Sequence, residues 1–593
     1  FNVSNASGNV TIAAETMTGS IDIATLETSA AGAVTVSTGT AGNFSANTVK
    51  VAGGFTLDAA AHVSGSGSIA VSDLSASGAI SISLGSGTGD VALLDVAGES
   101  TFTLDGSNFG GTVDVGTFTA AGNTTVSMGS EGYFSASTIG TAGSFTLDGA
   151  ASLTGQVTIQ GITAGGGITI SMGTGTGGIT LVSGATGGNF TLDATTFGGT
   201  IDVTNVTASG AVVVSVGTNG DFSANVVATQ GSFTVDASNA SSGAVVLGTV
   251  TAGGNATISM GGGTGSLAIT GVTAAGNITI DASSFNGAID VTTMSASGAG
   301  TVSVGPSGDF SADQINTTGA FTMDAAAATT GAVTLNGLDA GGNAVISMGT
   351  GTGSITLTSG VTTGSFTLDA SNFGGAIDIT GVSASGAIVV SMGTSGDLSA
   401  SQVESTGAVT IDGANASTGA VTLRSVSASG AVTISMGSGS GALSVATNIE
   451  TDKGFILDSS KFGGTVDIAG ISASGASTVS LAGGDYSAGN TFVDGSFTLD
   501  ASTSTTGTVT LTSLSAAGNT TVSMGGGSGA VAVGSAQVGG AFAINAASFS
   551  GTTTVTTVSA GAVSISLSGK DQGAFSAGVV ASTASVTLNQ AQA

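Results

Sequence analysis

A phrase of the form F-T-L-D recurs along this chain at a fixed interval, and no other feature limits its possible folds so strongly. "FTLDASNFGGAIDIT" begins at Phe366, close copies begin at Phe102, Phe190, Ile278 and Phe455, and a decayed one begins at Phe542. The residue closing the first four letters falls at Asp105, Asp193, Asp281, Asp369, Asp458 and Asn545, in steps of 88, 88, 88, 89 and 87 residues. A second set, Asp58, Asp148, Asp236, Asp324, Asp412, Asp500 and Asn589, has about the same period and is offset by roughly half of it. A third phrase, T-[VI]-S-[MVL], interleaves at Leu84, Met128, Met172, Val216, Met260, Val304, Met348, Met392, Met436, Leu481, Met524 and Leu567, nearly always 44 residues apart. The elementary unit is therefore about 22 residues, alternating between an F-T-L-D rung and a T-I-S-M-G rung.

Each rung holds two or three short segments of period-2 alternation separated by Gly-rich corners, which reads as strands and turns. One such unit cannot bury its apolar face alone, whereas stacked copies form a continuous core. The composition agrees: 103 Gly, one Pro, no Cys, no Trp, with β-branched residues in place of the usual helix formers. The Gly residues follow no G-X-Y period, which removes collagen. The expected fold is all-β, a β-solenoid of about 27 rungs of 22 residues with 44- and 88-residue higher repeats, running as one continuous array over 1–593. At the roughly 4.8 Å spacing of neighbouring strands the stack would be on the order of 130 Å long. A transmembrane β-barrel also alternates, but it needs aromatic girdles, and this chain has two Tyr and no Trp.

The period-2 rule sets inside from outside. In F-T-L-D, Phe366 and Leu368 share one face and Thr367 and Asp369 the other, so the carboxylate points out. The partner rung aligns Val, Thr, Ile and Ser with Phe, Thr, Leu and Asp. Carboxylates and hydroxyls then alternate up one face, with successive acids roughly 9.6 Å apart, an arrangement that limits like-charge repulsion. Two aromatic series follow the same period: Phe44, Phe134, Phe222, Phe310, Leu398, Tyr486 and Phe575 in the G-D-F-S-A phrase, assigned to a corner, and Phe109, Phe197, Phe285, Phe373, Phe462 and Phe549. Both are expected to plug the core.

Charge removes several functions. The formal net charge is −30, with five Lys and Arg against 35 Asp and Glu, so the clustered cations that nucleic-acid binding requires are missing. No run of about 18 apolar residues predicts a transmembrane helix. His62 is the only histidine and Lys50, Arg424, Lys453, Lys461 and Lys570 are scattered, so no nucleophile and base come together and no zinc site is expected. Glycine runs such as Gly173 to Gly178 lack the Lys of a phosphate loop and read as corner turns, where Gly tolerates positive φ. Paired acids could suggest a polysaccharide-cleaving enzyme, but such a site is a local break in the repeat and these acids recur in almost every block. The chain is read as non-catalytic.

Two outward ladders carry the candidate cation ligands: Asp105, Asp193, Asp281, Asp369 and Asp458, and Asp114, Asp202, Asp290, Asp378 and Asp467. They offer the hard oxygens that calcium takes, and the plainer reading of the same residues is a solvated face. The calcium β-roll consensus does not recur here.

The array opens and closes within a rung, and neither end shows a polar cap, so both ends are expected to be uncapped and to meet a neighbour or a further part of the protein. Cys-free, Lys-poor, acidic, rich in Gly, Ala, Ser and Thr, and built from this repeat, the chain resembles bacterial S-layer proteins and large secreted β-solenoid adhesins along its whole length. The resemblance implies an extracellular, self-assembling surface protein, often calcium-dependent. The first expectation is a structural protein of the bacterial cell surface whose partner is itself, head-to-tail or lateral, with a cell-surface polysaccharide as a further partner. The alternative is the stalk of an adhesin whose binding tip lies outside this chain, and the polysaccharide-active enzyme stands third.

Overall fold

The computed structural model describes residues 2–40, 42–60, 67–149, 154–416, 418–503, 506–568 and 574–590. His62 and Lys570 lie outside them. The chain divides into two compact units, Phe1–Gly298 and Ala299–Ala593. Both are parallel β-solenoids, about 26 turns in all with rungs roughly 22 residues apart, and no helix occurs among the described residues.

A turn of the first unit shows the construction. The short strand Phe102–Gly106 leads through a corner at Phe109 into the long strand Thr112–Ala120, and a second corner returns the chain to the next short strand, Thr124–Met128. Every residue of Phe102–Gly106 pairs in parallel with the residue 22 positions on, Phe102 with Thr124 through Gly106 with Met128. The long strand pairs in the same way with Tyr133–Thr141, but skips Gly116, where it bends. In three rungs among the described residues the strand is broken at this place, into Val157–Ile159 and Ile162–Ala164, Val333–Leu335 and Leu338–Ala340, and Ser354–Leu357 and Gly360–Thr362. The second unit repeats this plan: Phe366–Ala370 pairs with Ala344–Met348 on one side and Ile388–Met392 on the other.

Alternation decides what is buried. Along Phe366–Ala370, Phe366 and Leu368 are buried and Asp369 is exposed, as the period-2 rule requires. The two aromatic series are buried, with one exception: Phe575, in the strand Phe575–Gln590, is only half-buried. The G-D-F-S-A phrase is not a corner. Phe222 opens the long strand Phe222–Thr229, and it is the other series, at Phe197, that occupies the corner after the short strand. Within the core Phe102 and Phe118, from the short and long strands of one turn, meet with ring centroids 4.5 Å apart and planes at 59°, a favourable tilted contact.

The glycines have a different cause from the one expected. None of Gly177, Gly199 or Gly375 has a left-handed φ; a Cβ on Gly199 would instead overlap the carbonyl oxygen of Gly177 in the turn below and lie 2.7 Å from Cζ of Phe197. The same clash recurs at Gly375 against Gly353 and Phe373. This column of glycines lets the backbones of successive turns stack beside the corner aromatic.

A further column explains an alternation of Ala and Thr that the repeat carries on the closing residue of the long strand. Ala208 and Thr229 stack there, as do Ala340 and Thr362. The Thr229 hydroxyl donates to the Gly210 carbonyl and accepts from Gly231 N–H at 3.1 Å. Ser405 plays the same part between Gly386 (2.6 Å) and Gly407 (2.9 Å). Buried hydroxyls are thus fully used at these corners, which is what burial of a polar group demands.

Candidate functional site: the outward acidic columns

The two carboxylate ladders occupy different faces of each unit. The first lies on the short strands. In the first unit its register runs Ser83, Asp105, Ser127, Asp148, Ser171 and Asp193 on consecutive turns. In the second it runs Asp324, Ser347, Asp369, Ser391, Asp412, Ser435 and Asp458. Acid and hydroxyl alternate turn by turn, so carboxylates stand two strand spacings apart, roughly 9.6 Å. That exceeds the Debye length of about 8 Å at physiological salt. The column also takes in Asp148, Asp324 and Asp412, which belong to the second sequence series and were not among the candidate ligands.

Each of these acids has a local task. The side chain of Asp369 accepts a hydrogen bond from the N–H of Ser371, two residues on, at 3.1 Å. Asp281 and Asp458 do the same with Ser283 (3.2 Å) and Ser460 (3.1 Å). Asp105 and Asp193 accept in addition the hydroxyls of Ser107 (2.8 Å) and Thr195 (2.9 Å). This is an Asx turn, in which the carboxylate satisfies a backbone donor at a bend. It opens the corner that carries Phe109, Phe197 or Phe373. The T-I-S-M-G rungs leave their strand through Met and Gly instead, which is why Asp appears on every second turn only.

The second ladder lies on the first half of the long strands and is sparser. Asp114 is followed on succeeding turns by Ser135, Thr158 and Thr180 before Asp202. Acids here stand four turns apart. Asp114 accepts from the Ser135 hydroxyl at 2.5 Å and Asp202 from Ser223 at 2.6 Å, each donor belonging to the following turn. In the second unit Asp378 pairs in register with Ser399, and Asp467 with Ser487. Asp290 lies on the outward side of Ala288–Ala296, in register with Ala268.

A third set of acids went unrecognised in the sequence, although its signal was there in the letter before the Phe of G-D-F. Asp221, Asp309, Asp397 and Asp485 each accept the backbone N–H of a residue in the following turn, namely Ala244, Ala332, Ala420 and Thr508, at 2.7 to 2.8 Å. Asn123, Asn189 and Asn255 close another corner in the same way, each at 2.9 Å. Outside both ladders, on the second half of the long strands, Asp73 and Asp95 are direct neighbours in register.

The ten candidate ligands are all exposed. Along either ladder one turn contributes a single carboxylate, flanked by hydroxyls on the short strands and by hydroxyls or Ala (Ala92 beside Asp114, Ala268 beside Asp290) on the long ones, far from the six to eight oxygens that calcium gathers. Among the described residues no three of His, Cys, Asp and Glu converge on a point. The columns therefore present evenly spaced single charges. No helix among the described residues is long and apolar enough to cross a membrane. Comparison with protein-family models, with curated proteins and with solved structures returns no match.

Proposed function

We propose that this chain is a non-catalytic structural protein that assembles with copies of itself into an extracellular layer or fibre. The observation that carries this reading is the use of the acids. Asp105, Asp193, Asp281, Asp369 and Asp458 each close the bend of their own turn, and the G-D-F acids tie one turn to the next. A paired-carboxylate hydrolase sets its two acids across a cleft, whereas these recur at regular turn intervals along the strand faces.

Assembly on the cell surface fits an acidic, hydroxyl-rich exterior that stays solvated as a monomer and attracts cations. Calcium enters as a bridge: one chain offers single carboxylates in a row, and a facing row on a second copy, with water, would complete the oxygen shell.

Electron microscopy of the purified protein at high concentration, with and without calcium, tests the proposal. Ordered filaments or sheets are expected, extended by calcium and dispersed by a chelator. Isolated particles under all these conditions would refute it and favour the adhesin-stalk reading.

A further inference from the structure

One outward position departs from the pattern of the faces around it. Residues 88 apart at this place in the long strand are Asn316, Glu404 and Phe492. The first two are polar and paired with a neighbour on their own strand, Gln314 Nε2 donating to Asn316 at 2.8 Å and Gln402 Nε2 to Glu404 at 2.5 Å. Phe492, in Tyr486–Val493, is instead an aromatic ring left 54% exposed beside small polar residues. On the following turns its column continues as Ser515, Gln537 and Ser559, and the column beside it as Ser513, Ser535 and Thr557. The exposed Val579 and Ala581 close the far end of the same two columns.

These side chains line a shallow depression of 370 Å³. No charged residue lines it, in a chain with a net charge of −30. At the corners closed by Asp221, Asn189 and Thr229 the polar side chains are committed to backbone groups. Here the side chains of Ser513, Ser535, Gln537 and Ser559 make no hydrogen bond within the protein among the described residues, while the Thr557 hydroxyl donates to the Gly534 carbonyl at 3.4 Å. The main chain beneath is consumed by the parallel ladder, Ser472 to Phe492 to Ser515, so a ligand here is read by side chains alone.

We propose that this depression binds an uncharged saccharide. A sugar ring has an apolar face that stacks on an aromatic ring and a rim of hydroxyls that exchange hydrogen bonds with Ser hydroxyls and the Gln537 amide, which can donate and accept. An anionic ligand is disfavoured by the field of the acidic chain. An apolar peptide face would bury uncommitted hydroxyls and an amide without partners, at a cost. The strand spacing sets equivalent polar groups about 4.8 Å apart, a regular row suited to a linear glycan.

The site stands independently of the assembly reading, because Phe492 carries none of the acids invoked there. The test uses the full chain and three neutral linear probes, cello-, malto- and chito-oligosaccharides, with oligogalacturonate as the charged control, in saturation-transfer NMR and calorimetric titration. At least one neutral probe is expected to bind in the millimolar range or tighter. Phe492→Glu, which restores the residue type at position 404, is expected to weaken that binding by about tenfold or more, and Gln537→Ala by several-fold. Both substitutions are at exposed positions, and unchanged circular dichroism checks the fold. No binding of any neutral probe, undiminished binding in Phe492→Glu, or equal binding of oligogalacturonate would overturn the proposal. So would a change in the sedimentation of the sugar-free protein on Phe492→Glu, which would assign the patch to a second copy.

Discussion

Replacing Tyr486 by Phe should stabilise the turn that contains it. Tyr486 occupies the place that Phe222 and Phe310 hold in other blocks; its ring is buried, 1% exposed, and its hydroxyl has no hydrogen-bond partner. Leaving a buried hydroxyl unsatisfied costs about 1–3 kcal/mol, while removing it together with the need for a partner is neutral or better. Tyr486→Phe changes nothing else about the ring, so the local opening free energy should rise by about 1–3 kcal/mol. Amide exchange at Tyr486, whose N–H is bonded to the Thr508 carbonyl at 2.8 Å, should slow by roughly 5- to 150-fold in proportion.

A pH dependence follows with a definite sign. Burial pushes the Tyr486 phenol well above its ordinary value of 10.0. Between the ordinary and the raised value the opened state has lost a proton that the folded state keeps, so stability falls as pH rises. The wild type should therefore lose about 1.4 kcal/mol per pH unit above roughly pH 10 relative to Tyr486→Phe, and below that pH the difference should be constant. The mirror substitution, Phe310→Tyr, should destabilise its own turn by a similar amount. Hydrogen exchange read by mass spectrometry across pH 7–11 measures both effects. Equal or faster exchange in Tyr486→Phe, or a phenol that ionises at its ordinary value in the folded chain in a Tyr133→Phe background, would refute the reasoning.

Three further contrasts test the packing and the caps. Gly199→Ala should cost about 1–3 kcal/mol by overpacking against Gly177 and Phe197. The adjacent Gly198→Ala, whose Cβ would find its nearest atom at 3.8 Å, should be neutral or gain a few tenths of a kcal/mol by restricting the unfolded chain; local exchange and urea melts separate the two. Asp369→Ala should loosen the bend before Phe373 by about 0.5–1.5 kcal/mol, whereas Asp369→Asn, which keeps an oxygen for Ser371 N–H, should retain most of that stability. Thr124→Val should stabilise by about 1 kcal/mol because its buried hydroxyl is unpartnered. Thr362→Val should instead destabilise by about 1–3 kcal/mol, since that hydroxyl serves Gly342 and Gly364.

Much of the architecture was legible in the sequence because both of its rules are periodic. An 88-residue spacing of F-T-L-D phrases with a half-period copy dictates turns of about 22 residues, and strict alternation assigns Phe366 and Leu368 to the core and Asp369 to the surface. The Asp–Ser alternation up one face followed from the same alignment, and the ladder Ser347, Asp369, Ser391 has that register. Linear spacing could not say what each outward or corner residue touches, because the partner is usually in the next turn and its distance depends on how the corners close.

So the sequence alone determined the repeat, the parallel stacking it implies and the inside–outside pattern, all of which follow from period 2 within a strand and period 22 between turns. Only the tertiary structure showed that the acids of the short-strand ladder also cap the bends of their own turns, as at Asp369 and Ser371. It also traced the glycine column to the close approach of Gly177 and Gly199 and not to positive φ. And it singled out Phe492 by the uncommitted groups around it. Those features are contacts between backbones and side chains of stacked turns, and stacking is what the folded chain supplies.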